Sequence, residues 1–257
     1  MLIESQGNPN IKKVRALLDK HRARDREDAF IIEGIRMFNE TPREILREVY
    51  VSESFHKKNP INGIEKLYIV KDELFRRLSD VKTPQGILAV VERLHYGLED
   101  ILRGGLVIML EGLQDPGNLG TILRTGEAAG ISGLIMDENT ADIYSPKVVR
   151  STMGSIFRVP FIRVDSAAGL VPRLKDKGYT ICSASLEGSI SLEKAHFKKD
   201  SVIVIGNEGS GISRQLTDLS DMAVRIPMEG KVESLNAAVS ASILMYGYKF
   251  GSRNYDC

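Results

Sequence analysis

Five polar side chains stand out as able to do chemistry: Asn118, Arg124, Glu208, Ser234 and Asn236. Each lies shortly after an apolar run, in or beside a loop rich in glycine, proline or serine. A guanidinium at position 124 can hold developing negative charge or a phosphate, because it keeps its proton and presents a planar fork of donors. The two carboxamides and the hydroxyl can orient a polar group. Glu208 stands among Gly206, Gly209 and Gly211 with little side-chain cover, so it is either solvated or directed at something. Each also has a plain structural alternative. Arg124 suits a surface salt bridge. Asn118, Ser234 and Asn236 suit helix N-caps. The histidines, His21, His56, His95 and His196, are scattered without ligand spacing, so no metal is expected.

These side chains need a frame, and the frame reads as alternating strands and helices. Leu106–Leu110 is an unbroken apolar run, the mark of a parallel strand covered on both faces. A helix over 118–129 follows and stops at Gly130, a residue suited to the left-handed turn after a helix. Arg124 then falls within that helix. Val202–Ile205 is a second buried strand, running into Gly206–Ser213. The GxxGxG spacing there is neither the dinucleotide fingerprint GxGxxG nor a P-loop. Its glycines permit close approach of the backbone to a ligand. Ala223–Ile226 is a third strand, and Ser234 precedes a long apolar helix over 235–250. Ile226 and Leu235 are either core residues or the walls of an apolar slot for a flat ring. With further strands at 133–136, 161–164 and 179–184, the alternation predicts a parallel sheet. Ligands of such sheets bind beyond the carboxyl ends of the strands, where all three loops lie.

The first ninety or so residues form a separate, smaller α/β unit. Asn8 and Pro9 open a helix whose Ile11, Val14, Leu17 and Leu18 share one face, fading by Lys20. Strands are expected at 29–32, 49–51, 66–70 and 86–91, and helices at 34–40 and 71–78. Residues 96–105 read as a linker closed by Gly104-Gly105, which gives domains at 1–95 and 106–257. The densest basic segment spans Lys12, Lys13, Arg15, Lys20, Arg22, Arg24 and Arg26, diluted by four acidic residues. It is either a phosphate-binding surface or a solvated helix face.

Composition is that of an ordinary soluble chain: 257 residues, 42% hydrophobic, 27% charged and a net charge of +1. This excludes a largely disordered chain, a collagen-like repeat and a coiled coil. Cys182 and Cys257 can form no disulfide framework, which fits a reducing compartment. No signal peptide is evident, and the least charged stretch, 234–248, is too short and mixed to span a bilayer. The expectation is a cytoplasmic protein.

Taken in order, the three loops resemble the three motifs of the SpoU (TrmH) family of RNA ribose methyltransferases in the SPOUT superfamily. Asn118, Gly120, Arg124 and Thr125 match NxGxxxRT. Gly206 to Ser213 match GNEGxGIS. Ile226-Pro227-Met228 and Ser234-Leu235-Asn236 match IPM and SLN. The resemblance covers about residues 105–250. Less tightly, residues 1–95, opening on Ser5-Gln6-Gly7-Asn8-Pro9, resemble an L30e-like substrate-binding domain. The resemblance implies a parallel-sheet α/β catalytic domain with a C-terminal trefoil knot, working as a homodimer on RNA, most naturally ribosomal RNA. It implies S-adenosylmethionine as cofactor, held by Ile205, Gly206, Asn207, Gly211, Ile226, Met228, Ser234 and Leu235. Arg124 matches the family's catalytic arginine, with Asn118, Glu208, Ser234 and Asn236 beside it. RNA would be gripped by Lys12, Lys13, Arg15, Arg22 and Arg24. Three readings compete, the first a 2′-O-methyltransferase that acts on transfer RNA. A non-catalytic RNA-binding protein of the same fold is disfavoured by the intact polar set, and a dehydrogenase by the glycine spacing.

Overall fold

The computed structural model describes residues 2–186 and 189–252, so Cys257 lies outside the described residues. The chain divides into two compact units. The first holds residues up to Leu94 together with Asp142–Phe157, and the second holds His95–Ala141 with the residues from Arg158 on.

In the first unit the elements run β1 (Leu2–Ile3), α1 (Pro9–Asp19), α2 (His21–Glu27), β2 (Ala29–Glu33), α3 (Ile35–Glu40), β3 (Leu46–Ser52), α4 (Glu53–Lys58), β4 (Leu67–Val70), α5 (Asp72–Leu78) and β5 (Ile87–Glu92). Asn8 caps α1 by accepting from the Asn10 N–H at 2.9 Å, and Pro9 fills the first helical position. Ile11, Val14, Leu17 and Leu18 are buried, and the core they join includes Tyr50 and Phe75. The sheet order is β1-β4-β3-β5-β2. The pairs β1–β4 and β3–β4 are parallel, whereas β5 runs antiparallel to both β2 and β3. This sheet is therefore mixed, a detail the sequence left open, because alternation reveals each strand but not its direction.

Two expectations are corrected here. Helix α1 ends at Asp19 as expected, but the chain then enters α2, which the sequence did not reveal, and Arg24 on that helix is only 5% exposed. Its guanidinium donates to Asp142 at 2.7 and 2.9 Å and to the Leu17 carbonyl at 2.6 Å, so it has no donor face for a phosphate. Lys13 is likewise occupied, by Glu48 at 2.8 Å. The stretch 142–157, placed by sequence in the second domain, packs in the first unit. Tyr144 lies 4.8 Å from the Phe30 ring, and its hydroxyl donates to the Leu94 carbonyl.

The second unit carries α6 (Leu98–Ile101), β6 (Leu106–Leu110), α7 (Pro116–Ala129) and β7 (Gly133–Asp137). After α8 (Pro146–Thr152), which belongs to the first unit, come β8 (Phe161–Val164), α9 (Ala167–Asp176), β9 (Thr180–Ala184), β10 (Ile190–Ser191), β11 (Ser201–Ile205), α10 (Arg214–Asp218), β12 (Met222–Arg225) and α11 (Ala237–Ser252). The sheet order is β10-β12-β9-β11-β6-β7-β8, and every recorded pairing is parallel. Strands β6 and β11 are buried along their whole length, as their apolar runs require. From β6 the chain builds outward through β7 and β8, then returns to build the other half. The reversal falls between β6 and β11, the place where such sheets open a ligand crevice.

Two helix starts also move. Asp115, not Asn118, caps α7, accepting from the Asn118 N–H at 2.8 Å, with Pro116 at the first helical position. Helix α11 begins after Asn236, whose side-chain oxygen accepts from the Ala238 N–H at 2.9 Å. Ser234 therefore lies outside the helix. Gly130 closes α7 at φ 78°, as expected.

Candidate functional site

The first loop leaves β6 at Glu111. Its turn is held by the buried Asp137 at the end of β7, which accepts from the Gly112 N–H at 2.9 Å. The second loop leaves the neighbouring strand β11. Asn207 and Gly211 exchange backbone hydrogen bonds at 3.0 and 2.9 Å, which folds the loop back on itself. The Asn207 side-chain oxygen accepts from the Gly209 and Ser210 N–H groups, while its amide donates to the Gly112 carbonyl at 2.8 Å. Asn207 thus ties the two loops together.

This closure also explains Gly206. A Cβ there would sit 2.2 Å from the Gly211 carbonyl carbon and 2.4 Å from the Ile212 nitrogen. The glycine is required by the loop's own backbone, where the sequence suggested approach to a ligand. Gly211 is different: its φ is +70°, but nothing crowds its Cβ position.

Glu208 is directed, not merely solvated. Its carboxylate accepts from the Gln114 and Asp115 N–H groups at 3.1 Å each and from the Asn118 side-chain amide at 2.9 Å. The Asn118 oxygen in turn accepts from the Asn236 amide at 2.9 Å. One polar residue from each motif therefore forms a continuous relay, Glu208 to Asn118 to Asn236, ending at the N-cap of α11. Partial burial pushes the Glu208 carboxyl up, but the Asn118 amide and the backbone donors outweigh it and hold the group below its ordinary range.

Beside the relay opens a cavity of about 830 Å³, lined by the 207–212 loop, by Ser234 and Leu235, and by Ala184–Leu186 at the end of β9. Its size lies within the range of small-molecule sites. Ala184–Leu186, Ser234 and Leu235 are shared with a narrower apolar slot walled by Ile226, Met228 and Leu244. Ile205 lines neither space; it is buried in β11, and its carbonyl accepts from the Glu111 N–H. Arg124 is exposed on α7. Among the described residues it makes no hydrogen bond or ion pair, so the salt-bridge alternative does not apply.

Sequence reasoning missed Glu111, Ser213 and the β9 end. Glu111 accepts from both the N–H and the hydroxyl of Ser213 at 2.7 Å, and Ser213 caps α10. A carboxylate directly after a buried strand was the available signal for Glu111. The β9 contribution follows only from strand order. Among the described residues no group of three or more His, Cys, Asp or Glu could hold a metal, and no helix is long and apolar enough to cross a membrane.

An all-parallel sheet with a braced polar site at its switch point and a roomy cavity beside it, at the ends of β9 and β11, defines an α/β ligand-binding domain. Residues 105–246 match the SpoU rRNA Methylase family and residues 8–89 match the MRM3-like substrate binding domain, and the chain belongs to the SpoU rRNA methylase family. It is 30% identical over 246 residues to the 23S rRNA (guanosine(2553)-2'-O)-methyltransferase RlmP of Bacillus subtilis, covering 95% of this chain and 97% of that protein. The rRNA methyltransferase of Sinorhizobium meliloti superposes with a TM-score of 0.86 at 26% identity, covering 97% of each chain. The SpoU methyltransferase AviRb of Streptomyces viridochromogenes, in complex with the cofactor AdoMet, superposes with a TM-score of 0.85 at 26% identity, covering 96% of this chain and 98% of that one.

Proposed function

We propose that this chain transfers a methyl group from S-adenosylmethionine to the ribose 2′-oxygen of ribosomal RNA. The observation that carries the reading is the relay from Glu208 through Asn118 to Asn236, which ties the three motif loops together beside the cavity. The residues present fit the cofactor. The slot of Ile226, Met228 and Leu235 suits a flat purine, and the 207–212 loop offers backbone polar groups beside it.

When bound, the cofactor supplies the electrophilic methyl group. The chain supplies position and charge. Glu208 has both carboxylate oxygens engaged, so it braces the loops and does not serve as a proton acceptor. Asn118 and Asn236 spend their amides on the same brace. Ser234 is exposed at the cavity edge, placed to contact cofactor or substrate. Arg124, exposed and without an internal partner, stabilises the charge that develops on the 2′-oxygen or holds the adjacent phosphate. A guanidinium stays protonated below pH ~12, which argues against a role as general base. The first unit supplies RNA recognition, consistent with its substrate-binding family match.

The resemblance also supports a trefoil knot in the second unit, a homodimer and a cytoplasmic setting. Val239 and Phe250, apolar and exposed on α11, are consistent with pairing of two copies. The decisive experiment maps 2′-O-methyl positions in total RNA with and without the protein, beside a cofactor titration. A new ribosomal position with S-adenosylmethionine binding is expected. Methylation confined to transfer RNA would replace the substrate, and no cofactor binding would overturn the reading.

A further inference from the structure

We propose that a groove between α1 and α5 in the first unit holds a single-stranded segment of the RNA substrate, with phosphates on its rim and a base or ribose on its floor. The inference rests on the RNA reading above. The groove has a volume of about 330 Å³, and its rim carries Lys12, Arg15, Lys20 and Arg77 against Asp19. Lys12, Arg15, Ala16 and Asp19 fall at helical spacing on one face of α1, flanking the buried stripe at Ile11.

Two of the four rim cations, Lys12 and Lys20, are unspent among the described residues, in contrast to Lys13 and Arg24. The Arg15 guanidinium donates to the Arg77 carbonyl, which fixes it across the groove from α1 to α5. Arg77 pairs with Glu73 one turn back. Among the described residues Lys12 and Lys20 form no ion pair. The floor is apolar, lined by Ile11, Leu74 and Leu78 together with Ala16, whose side chain is short. Cations spaced along an apolar floor match the alternation of phosphate and flat ring along a single strand. An acidic peptide would satisfy the cations but leave the floor without a ring to cover.

The test uses the full chain and a labelled single-stranded oligouridylate, titrated across a range of salt, with polyglutamate as competitor. Each phosphate contact on a single strand contributes about 0.7 to the slope of log affinity against log salt. Lys12→Gln combined with Lys20→Gln is expected to flatten that slope by roughly 1.4 and to weaken low-salt binding about tenfold or more. Ala16→Leu keeps every charge and a good helix former but fills the floor, so it should weaken binding with the slope unchanged. Circular dichroism and cofactor affinity should match the wild type in both. Wild-type slope and affinity in the double lysine variant, or polyglutamate competing as well as RNA, would overturn the proposal. Methyl transfer to ribosomal RNA, followed alongside, separates the two claims. If it is absent while the slopes change as expected, the proposed activity fails and the groove stands. If it is present while the slopes do not change, the groove alone fails.

Discussion

The side-chain amide of Asn236 donates to the side-chain oxygen of Asn118 at 2.9 Å, although 118 residues separate them along the chain. Asn118 passes its own amide to Glu208, so the three motif loops share one hydrogen-bonded brace. In a partly buried network of this kind the members support one another, and losing the middle one strands both ends.

Asn118→Ala should therefore act beyond its own contacts. It leaves the Asn236 amide and a Glu208 oxygen short of partners, a loss on the order of 1–3 kcal/mol. Thermal unfolding should shift down, and cofactor affinity by calorimetry should fall with it. Asn118→Asp should be worse, because a second carboxylate would face Glu208.

The same brace has a pH signature. The folded Glu208 carboxyl titrates below its ordinary value of 4.5, because hydrogen bonds from Asn118 and the backbone outweigh its burial. A depressed folded value stabilises the native state above the unfolded one, and that support is lost as pH falls through the folded value. Urea unfolding from neutral to acid pH should show wild type more stable than Glu208→Gln at neutrality. The gap should close below pH 4.5. A gap that widens on acidification would contradict the hydrogen-bond assignment.

Arg124→Ala should leave folding and cofactor binding nearly unchanged, since the side chain touches neither the relay nor the cavity wall. Single-turnover methyl transfer at saturating cofactor should slow by about a hundred- to thousandfold, the scale of losing one donor to a developing oxyanion. Arg124→Lys should recover little of it, because an ammonium lacks the planar fork. Near-normal turnover in the alanine variant would remove Arg124 from the chemistry.

The two loop glycines should separate cleanly. Gly206→Ala places a Cβ against the Gly211 and Ile212 backbone, so the loop must open and cofactor affinity should collapse. Gly211→Ala meets no atom and carries only the strain of φ +70°, about 1 kcal/mol. Its affinity should drop less than that of Gly206→Ala in the same titration.

Arg24 and Arg22 offer a test within the basic segment. Arg24→Met leaves Asp142 without its guanidinium, and breaking such a pair costs on the order of 3 kcal/mol. Arg22→Met, at an exposed position, should change stability by less than about 0.5 kcal/mol. Equal and small effects in urea unfolding would return Arg24 to the list of free surface cations.

Much of this was legible in the residues themselves. The apolar runs at 106–110 and 202–205, the Pro9 and Gly130 boundaries and the three polar motifs mark local features that depend on neighbouring residues in the chain. Helices α2, α4 and α9 escaped, α9 because Pro172 interrupts its pattern. The motif asparagines looked like caps because capping needs only a residue type and a position. Asn236 does cap α11, whereas Asp115 relieves Asn118 of that task and frees its side chain for Glu208.

By itself the sequence determined the element pattern of the second unit, its parallel sheet and the residue types that could work at its loops, since these follow from periodicity and local preference. Tertiary structure alone decided strand order, and with it which loops meet. It paired Glu208 with Asn118 and Asn236, brought the β9 end to the cavity, turned Arg24 inward onto Asp142 and placed 142–157 in the first unit. The physical reason is that hydrogen bonds and ion pairs between distant residues depend on which surfaces the packed core brings within 3 Å or so of each other. No spacing along the chain encodes that proximity.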